Sequence, residues 1–336
     1  MRRRSAAVAQ TCELSQREVT SMSIQFEPTH PTIGQVVLGF DFSKQATQAL
    51  ELSLDIARRH ACPLDVVVAV PGHLDGRVAS ADVDPMEKVA DPSGEAVRHV
   101  EARIGKVLAE LPHEGVQLRY HIRWAKPVHE ILAEARKDPS SLVVVGATGL
   151  GAWGQVFIGS TSRRLVHESP APVVVVREES RWPPRTIVCP VDFSRPSLVA
   201  LEWAAMLGKG LGARVIALHV VETVPRLWLE VSGVMYEESF QAAEDREFGV
   251  RVSQLAEICA SPTMAAAKVE PRVVSGQPEQ CILDEARAVE ADLVCMGSVG
   301  RSGVEGIFVG NTAERLLRVL RCSLLTVKAP SLPTAG

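Results

Sequence analysis

The sequence has little net charge and no long apolar run. Lysine and arginine number 36 against 40 aspartates and glutamates, which gives a formal net charge of -4. Because nucleic-acid binding calls for a basic patch or stripe, we expect no nucleic-acid partner. No apolar run approaches the ~18 residues of a membrane helix, so no membrane span or membrane partner is expected. A hydrophobic content of 46% with 23% charged residues is typical of soluble globular proteins.

Patterns for metal binding, export and catalysis are also missing. The seven cysteines form no CxxC pair and no His/Cys cluster at metal-ligand spacing, so we read them as core residues in a reducing compartment. Arg2-Arg3-Arg4 is not followed by an apolar segment, and we therefore predict a cytoplasmic protein. No Ser-His-Asp order, His-Glu-x-x-His pattern or deaminase signature is present. We assign no catalytic and no metal-ligating residue.

What the sequence does contain is one glycine pattern written twice. Gly146-x2-Gly149-x9-Gly159-Ser160 recurs as Gly297-x2-Gly300-x9-Gly310-Asn311, with every residue of the second copy 151 positions after its counterpart. Asp-Phe-Ser likewise begins at Asp41 and again at Asp192. A register kept over a whole domain length indicates two copies of one fold. The predicted organisation is a disordered tail (1–32, with Met22 as an alternative start), domain 1 (33–178), a linker (179–185), domain 2 (186–329) and a C-terminal tail (330–336).

Strand and helix patterns alternate within each copy. In the first copy, apolar or alternating segments predict strands at 36–40, 64–70, 118–122, 142–145 and 173–176. Helices are predicted between them: one with Ser43 as its N-cap and an end near His60, one over 97–111, one after Pro127, and one capped by Ser160. Such alternation predicts the α/β class, as two tandem open parallel-sheet sandwiches of five strands with helices on both faces.

The glycine loop follows the fourth strand, and Asp41 follows the first. Ligands of open parallel sheets bind beyond the carboxyl ends of strands, so we expect Asp41 and Gly146 to be neighbours. A glycine turn leading into a helix N-terminus favours a phosphate chain. The lysine of a P-loop is missing, however, and the glycines can equally serve tight turns. Asp41 and Asp192 can also be helix caps or start Asx-turns. Arg163 and Arg164 fit a solvated helix face, and His219 fits a core or strand-end position.

Together, the glycine pattern and the aspartate at the end of the first strand resemble the universal stress protein family. The resemblance extends over essentially everything after residue 32. It implies the adenine-nucleotide alpha-hydrolase-like fold and ATP, with or without Mg²⁺, as ligand. In the first copy it implies that Asp41 contacts adenine or ribose, that Ala69 contacts the nucleotide through its backbone, and that the phosphates lie on Gly146, Gly149, Gly159 and Ser160. The second copy supplies Asp192, Val220, Gly297, Gly300 and Gly310, but Asn311 replaces the Ser or Thr of the motif, which predicts a weaker site.

Three hypotheses of function remain open from the sequence. The first is an ATP-binding stress-response regulator, in which nucleotide changes loops 71–95 and 222–245 and thereby the binding of a regulatory protein partner. The second is an interaction module independent of nucleotide, with Leu227-Trp228-Leu229 and Val234-Met235-Tyr236 as candidate surface segments. The third is a slow ATPase. The resemblance also implies pairing of the last strands, 173–176 and 324–327. We therefore predict an intramolecular pseudo-dimer, with further homodimerisation left open.

Overall fold

The computed structural model describes residues 30–69, 94–149, 158–223, 237–298 and 310–328. The N-terminal tail before residue 30, most of both predicted response loops, the segment Leu227-Trp228-Leu229 and Gly300 lie outside the described residues. The elements of the first half are β1 (Gln35–Gly39), α1 (Lys44–His60), β2 (Leu64–Ala69), α2 (Gly94–Leu108), β3 (Leu118–Arg123), α3 (Pro127–Ala135), β4 (Ser141–Gly146), α4 (Ser160–Glu168) and β5 (Val173–Val176). Those of the second half are β6 (Thr186–Pro190), α5 (Arg195–Leu211), β7 (Arg214–Glu222), α6 (Glu237–Cys259), α7 (Pro262–Ala266), β8 (Glu270–Gly276), α8 (Pro278–Ala288), β9 (Leu293–Gly297), α9 (Asn311–Val319) and β10 (Ser323–Val327).

Each half forms a parallel sheet with the same strand order. The first runs β3-β2-β1-β4-β5 and the second β8-β7-β6-β9-β10. In the first half Val36 lies opposite Leu64 on one side and Leu142 on the other. The chain reverses its strand order between β1 and β4, and at such a switch point the loops after both strands border a common crevice. The α/β class, the parallel sheets and the five strands of each half are confirmed.

The central strands are buried on both faces. Val36 and Leu38 belong to one apolar core and Val37 to the other, and none of the three is exposed to solvent. Because successive side chains of a strand point to opposite faces, helices must cover the sheet on both sides. The continuous apolar runs in the sequence reflect this arrangement. None of the helices within the described parts of the chain combines the length and apolarity needed to cross a bilayer.

Helix α1 begins and ends where the sequence predicts. The Ser43 hydroxyl accepts a hydrogen bond from the Ala46 amide at 3.1 Å, which satisfies one of the open N–H groups of the first turn. Ala61 ends the helix in the left-handed conformation with φ of 49°. Helix α2 ends at Leu108, three residues earlier than predicted. Strand β3 is present, but Tyr120 is 42% exposed because β3 is the edge of the sheet.

The two halves join through their last strands. Strands β5 and β10 pair antiparallel, with Leu324 opposite Val175 and Thr326 opposite Val173, and this seam makes one sheet of ten strands. Arg177, immediately after β5, is buried and donates to the Leu317 carbonyl at 2.5 Å in the last turn of α9. The antiparallel pairing of β5 with β10 within one chain is the arrangement that the sequence analysis predicted for the two last strands.

Candidate functional site

Asp41 occupies the turn between β1 and α1. Its Oδ1 accepts a hydrogen bond from the Ser43 amide at 3.0 Å, and Phe42 between them has φ of 64°. This is an Asx-turn, one of the structural roles considered from the sequence. The turn fixes the carboxylate at the end of β1, so its structural role also determines where the second oxygen, Oδ2, points.

Oδ2 of Asp41 lies against Gly149. A Cβ atom added at Gly149 would be only 2.4 Å from it, so the glycine allows a close approach that no other residue permits. Gly146 lies close to the start of α1, since a Cβ there would lie 3.0 Å from the Gln45 Cβ and 3.2 Å from the Ala46 amide nitrogen. The structure thus brings together Asp41 and the first two glycines of the motif, as expected from the strand order.

Beyond the undescribed residues 150–157, the chain returns to the same place. The Gly159 amide donates to the Ala147 carbonyl at 2.6 Å, and the Ala147 amide donates to Val176 at 2.8 Å. Gly159 is the N-cap of α4 and Ser160 its first residue, so the prediction that Ser160 caps this helix is wrong. A glycine cap has no side chain, and no side-chain hydrogen bond caps α4. The helix N-terminus therefore keeps backbone donors and partial positive charge beside the glycines.

Ala69 ends β2, which lies next to β1 in the sheet. The Phe40 amide donates to the Val67 carbonyl at 2.9 Å, which holds the two strand ends side by side. Ala69 and Asp41 therefore border the same edge of the sheet as Gly146 at the end of β4. The structure gathers the first-copy residues at this edge.

Two residues that the sequence analysis did not select support the loop. Gln45 Oε1 accepts from the Thr148 amide at 2.6 Å, and the buried Ser162 hydroxyl donates to the Gly146 carbonyl at 2.6 Å. Their counterparts 151 positions later are Pro196 and Ala313, neither of which can make these bonds. This difference between the copies is the signal in the sequence that could have identified both residues.

The second copy repeats the turn with different support. Asp192 Oδ1 accepts from both the Ser194 amide at 3.0 Å and the Ser194 hydroxyl at 2.5 Å. A Cβ at Gly297 would lie 2.9 Å from Pro196 and from the Ser197 amide, so this glycine is packed against backbone. Gly310 is the N-cap of α9 and Asn311 its first residue. Val220 lies on β7 beside β6, and Gly300 is outside the described residues.

His219 of the second copy is a core residue, as expected. It is buried, its Nδ1 lies 2.6 Å from the Val191 carbonyl, and its ring is 4.5 Å from that of Phe193. Arg164 pairs with Glu168 at 2.8 Å on an exposed helix face, in agreement with the solvated interpretation. Neither residue contributes to the glycine loop through a described contact.

Two cavities lie away from the glycine loops. One of about 270 Å³ is bordered by Gln48, Trp182 and Asp292 near the linker, and one of about 250 Å³ by Leu283, Arg287 and Val319 on the second half. Cavity size alone would direct attention to these places. The convergence of strand ends, glycines and a helix N-terminus is the stronger indication of a ligand site, because each supplies groups that an anionic ligand requires.

Comparison with known proteins gives a consistent set of relatives. The model of the universal stress protein family matches residues 32–177 and again 184–328. A universal stress protein of Mycolicibacterium smegmatis is 29% identical over 309 residues, covering 87% of this chain and 96% of that protein. One of Methanocaldococcus jannaschii is 31% identical over 153 residues, covering 44% of this chain and 83% of that protein. The crystal structure of a universal stress protein from Archaeoglobus fulgidus has a TM-score of 0.61 at 19% identity, covering 88% of this chain and 99% of that one, which shows the shared fold.

Proposed function

Because this chain belongs to the universal stress protein family through both of its halves, we propose that it is an ATP-binding stress-response regulator of the cytoplasm. Its two domains, 33–178 and 186–329, are joined by the linker 179–185, and the first domain holds the nucleotide more tightly. Occupancy of the site changes the loops around it and thereby the binding of a regulatory protein partner. The family membership supports a role in stress response, and the site geometry supports the ligand.

The observation that carries the proposal is the contact of the Asp41 carboxylate with Gly149. It joins the end of β1 to the glycine loop, while the bond from Gly159 to Ala147 joins that loop to the N-terminus of α4. A ligand at this edge meets a carboxylate at one end and open backbone donors at the other. An adenosine phosphate has the matching groups, since its base and ribose carry donors and its phosphates are acceptors.

Each first-domain residue then has a stated role. Asp41 accepts from adenine or ribose, the Ala69 backbone contacts the base, and the phosphates lie on Gly146, Gly149, Gly159 and Ser160. Mg²⁺ accompanies the phosphates. No general base is assigned in this site, so the proposal is one of binding and not of turnover.

The second domain is proposed as the weaker site. It uses Asp192, Val220, Gly297, Gly300, Gly310 and Asn311. Pro196 and Ala313 cannot make the two hydrogen bonds by which Gln45 and Ser162 hold Thr148 and Gly146 in the first domain, so the second site lacks that preorganised support and should bind nucleotide more weakly.

The test is calorimetric titration of the full chain with ATP and Mg²⁺, after chromatographic analysis of the nucleotide released on denaturation. We expect one tight equivalent per chain. Gly159→Leu should remove this equivalent, because a bulky side chain at the N-cap obstructs the phosphate position beside Ala147. Gly310→Leu makes the same change in the second domain and is the matched control.

Either of two results would refute the proposal. No binding at millimolar ATP would leave a nucleotide-independent interaction module as the better explanation. If Gly310→Leu lost the tight equivalent and Gly159→Leu kept it, the tight site would lie in the second domain, contrary to the proposal.

A further inference from the structure

A buried charged cluster lies in the first domain, on strands β2 and β3 and helix α3. Nε2 of His121 is 2.8 Å from Asp65 Oδ1, and Nδ1 is 3.7 Å from Glu134 Oε2. The side chains of Asp65, His121 and Glu134 are only 0%, 20% and 10% exposed. These residues are 56 and 13 positions apart in the chain, so no local spacing in the sequence indicates them.

The second domain shows that the fold does not require this cluster. The counterpart of Asp65 is Ile216, fully buried in β7, and the counterpart of His121 is Arg272, which pairs directly with Glu285. An ionisable group in the middle of a buried strand is costly unless it is fully compensated. The domain thus carries in one copy a costly group that the other copy replaces with an ordinary core residue, and this favours a role beyond packing.

The three side chains form a set of donors suited to a transition metal. One ring nitrogen of His121 and one oxygen from each carboxylate lie within 4.8 Å of one another. Ligand atoms of a tetrahedral zinc site with bonds of ~2.0–2.2 Å are about 3.4 Å apart, so small side-chain rotations bring all three into range. One imidazole with two carboxylates is a donor set that Zn²⁺ accepts and that leaves the fourth position for water.

From this geometry we propose that Asp65, His121 and Glu134 form a binding site for a divalent transition metal, Zn²⁺ above all. The site is separate from the glycine loops, and it does not depend on nucleotide.

Two cations compete with the metal for the carboxylates. Arg119 donates to Asp65 Oδ2 at 2.6 Å, and the Lys137 Nζ lies 2.7 Å from Glu134 Oε2. Their side chains are 43% and 62% exposed, so both can turn into solvent when a metal arrives. The solvent-exposed side of the cluster, where Arg119 and Lys137 lie, is also the route by which the metal would enter. Without metal, the two cations compensate the buried carboxylates.

The competition of these two cations with the metal allows a test that distinguishes a metal site from a cluster with a structural role alone. We would titrate the full chain, stripped of nucleotide, with Zn²⁺ in the presence of a chromogenic chelator, and expect one equivalent per chain. Lys137→Ala removes a competitor and should tighten binding by about two- to fivefold, the range of a part-exposed ion pair. A cluster that serves stability alone predicts no tightening.

The loss-of-binding variant is taken from the second domain itself. Asp65→Ile with His121→Arg reproduces the residues that already fold around Glu285, so the variant is expected to keep its circular dichroism and a cooperative urea transition. It should lower the affinity for Zn²⁺ by roughly 100-fold or more, since two of three ligands are gone. Glu285→Gln, which changes the second-domain counterpart of Glu134, is the control and should leave the affinity unchanged.

Co²⁺ in place of Zn²⁺ identifies the donor atoms. Ligation by nitrogen and oxygen predicts visible d–d bands without a thiolate-to-metal charge-transfer band. A charge-transfer band, absence of saturable binding, or an unchanged affinity in the Asp65→Ile/His121→Arg variant would each overturn the assignment.

Discussion

Replacing Gly149 by alanine tests the contact between Gly149 and Asp41 that carries the proposed nucleotide site. The new Cβ would lie 2.4 Å from Asp41 Oδ2 and 3.7 Å from its Cγ, with no other atom of the described residues within 4 Å. Among those residues, the effect therefore falls on one carboxylate. Because the backbone at Gly149 does not have a left-handed φ, alanine introduces no strain of its own.

The magnitude follows from how far Asp41 must move. A relaxed contact between carbon and oxygen needs about 3.3 Å, so the carboxylate must retreat by roughly 1 Å. Movement of that size weakens its hydrogen bond from the Ser43 amide, now 3.0 Å long. Overpacking and the weakened bond together should lower the free energy of unfolding by about 1–2 kcal/mol. The hydrogen bond proposed between Asp41 and the nucleotide would be lost as well, which predicts roughly 10- to 150-fold weaker ATP binding.

Urea denaturation and ATP calorimetry measure the two effects separately. Gly105→Ala is the control for stability, because no atom in the described part of the chain lies within 4 Å of a Cβ in that position of α2. There we expect a gain of about 0.5–1 kcal/mol, from the helix propensity of alanine.

A double-mutant cycle with Asp41→Ala then isolates the contact. In that background the alanine at 149 meets no carboxylate, so its cost in stability should nearly vanish. Equal destabilisation with and without Asp41, or wild-type affinity and stability in the single Gly149→Ala variant, would refute the reasoning.

Three further predictions concern the seam and the thiols. Partial burial acts to raise the pKa of Glu314, but hydrogen bonds from Arg318 and His167 lower it overall. The contribution of Glu314 to the free energy of unfolding is therefore fully present above the pKa of an unfolded glutamate, and it is lost as pH falls through the lowered pKa of the folded state. The stability difference between wild type and Glu314→Gln, about 0.5 kcal/mol at pH 7, should shrink in urea titrations below about pH 4. Arg177→Ala removes the buried donor to Leu317 and should cost about 2–3 kcal/mol in urea unfolding; a loss below 0.5 kcal/mol, on the order of a surface change, would contradict the buried contact. In a Cys12→Ser background, a thiol reagent should modify Cys281 first among the six described cysteines, and faster at higher pH. The other five are buried, and burial raises the pKa of Cys259 to about 11 and that of Cys322 to about 12. Mass spectrometry that locates the first label on another described cysteine would contradict this prediction.

The features that the sequence predicted are those with a local or repeated signal. The run at Val173–Val176 is buried on both faces, and its strand has the predicted bounds. Ser43 is followed by an apolar stripe, and it caps α1 as predicted. The repeat of 151 residues made the two-domain fold predictable, and the resemblance to the universal stress protein family implied the pairing of last strands. The placement of Asp41 beside the glycine loop was predictable because both follow strands of one parallel sheet.

What escaped prediction depends on contacts between distant positions or on sheet edges. Gln45 holds Thr148 across 103 positions, and no periodicity reveals such a bond. Tyr120 follows a strand pattern, but only the strand order shows that β3 is an edge. The N-cap of α4 was predicted one residue too late. Serine is preferred over glycine as an N-cap residue because its hydroxyl can accept a hydrogen bond, but the extended backbone conformation of Gly159 makes that residue the N-cap.

The contact between His167 and Glu314 across the seam, 2.7 Å long, has an evolutionary consequence. In a symmetric homodimer each interface residue must tolerate the same neighbours twice, so neither copy can change alone. The counterpart of Glu314 in the first half is Arg163, and two first halves paired in this way would set His167 against a cation. Within a single chain the two sides of the seam need not be self-complementary, so the halves can differ: the second has Ile216 where the first has Asp65, and the first has Gln45 where the second has Pro196. The two halves therefore pair as unlike partners, and one continuous chain keeps them together.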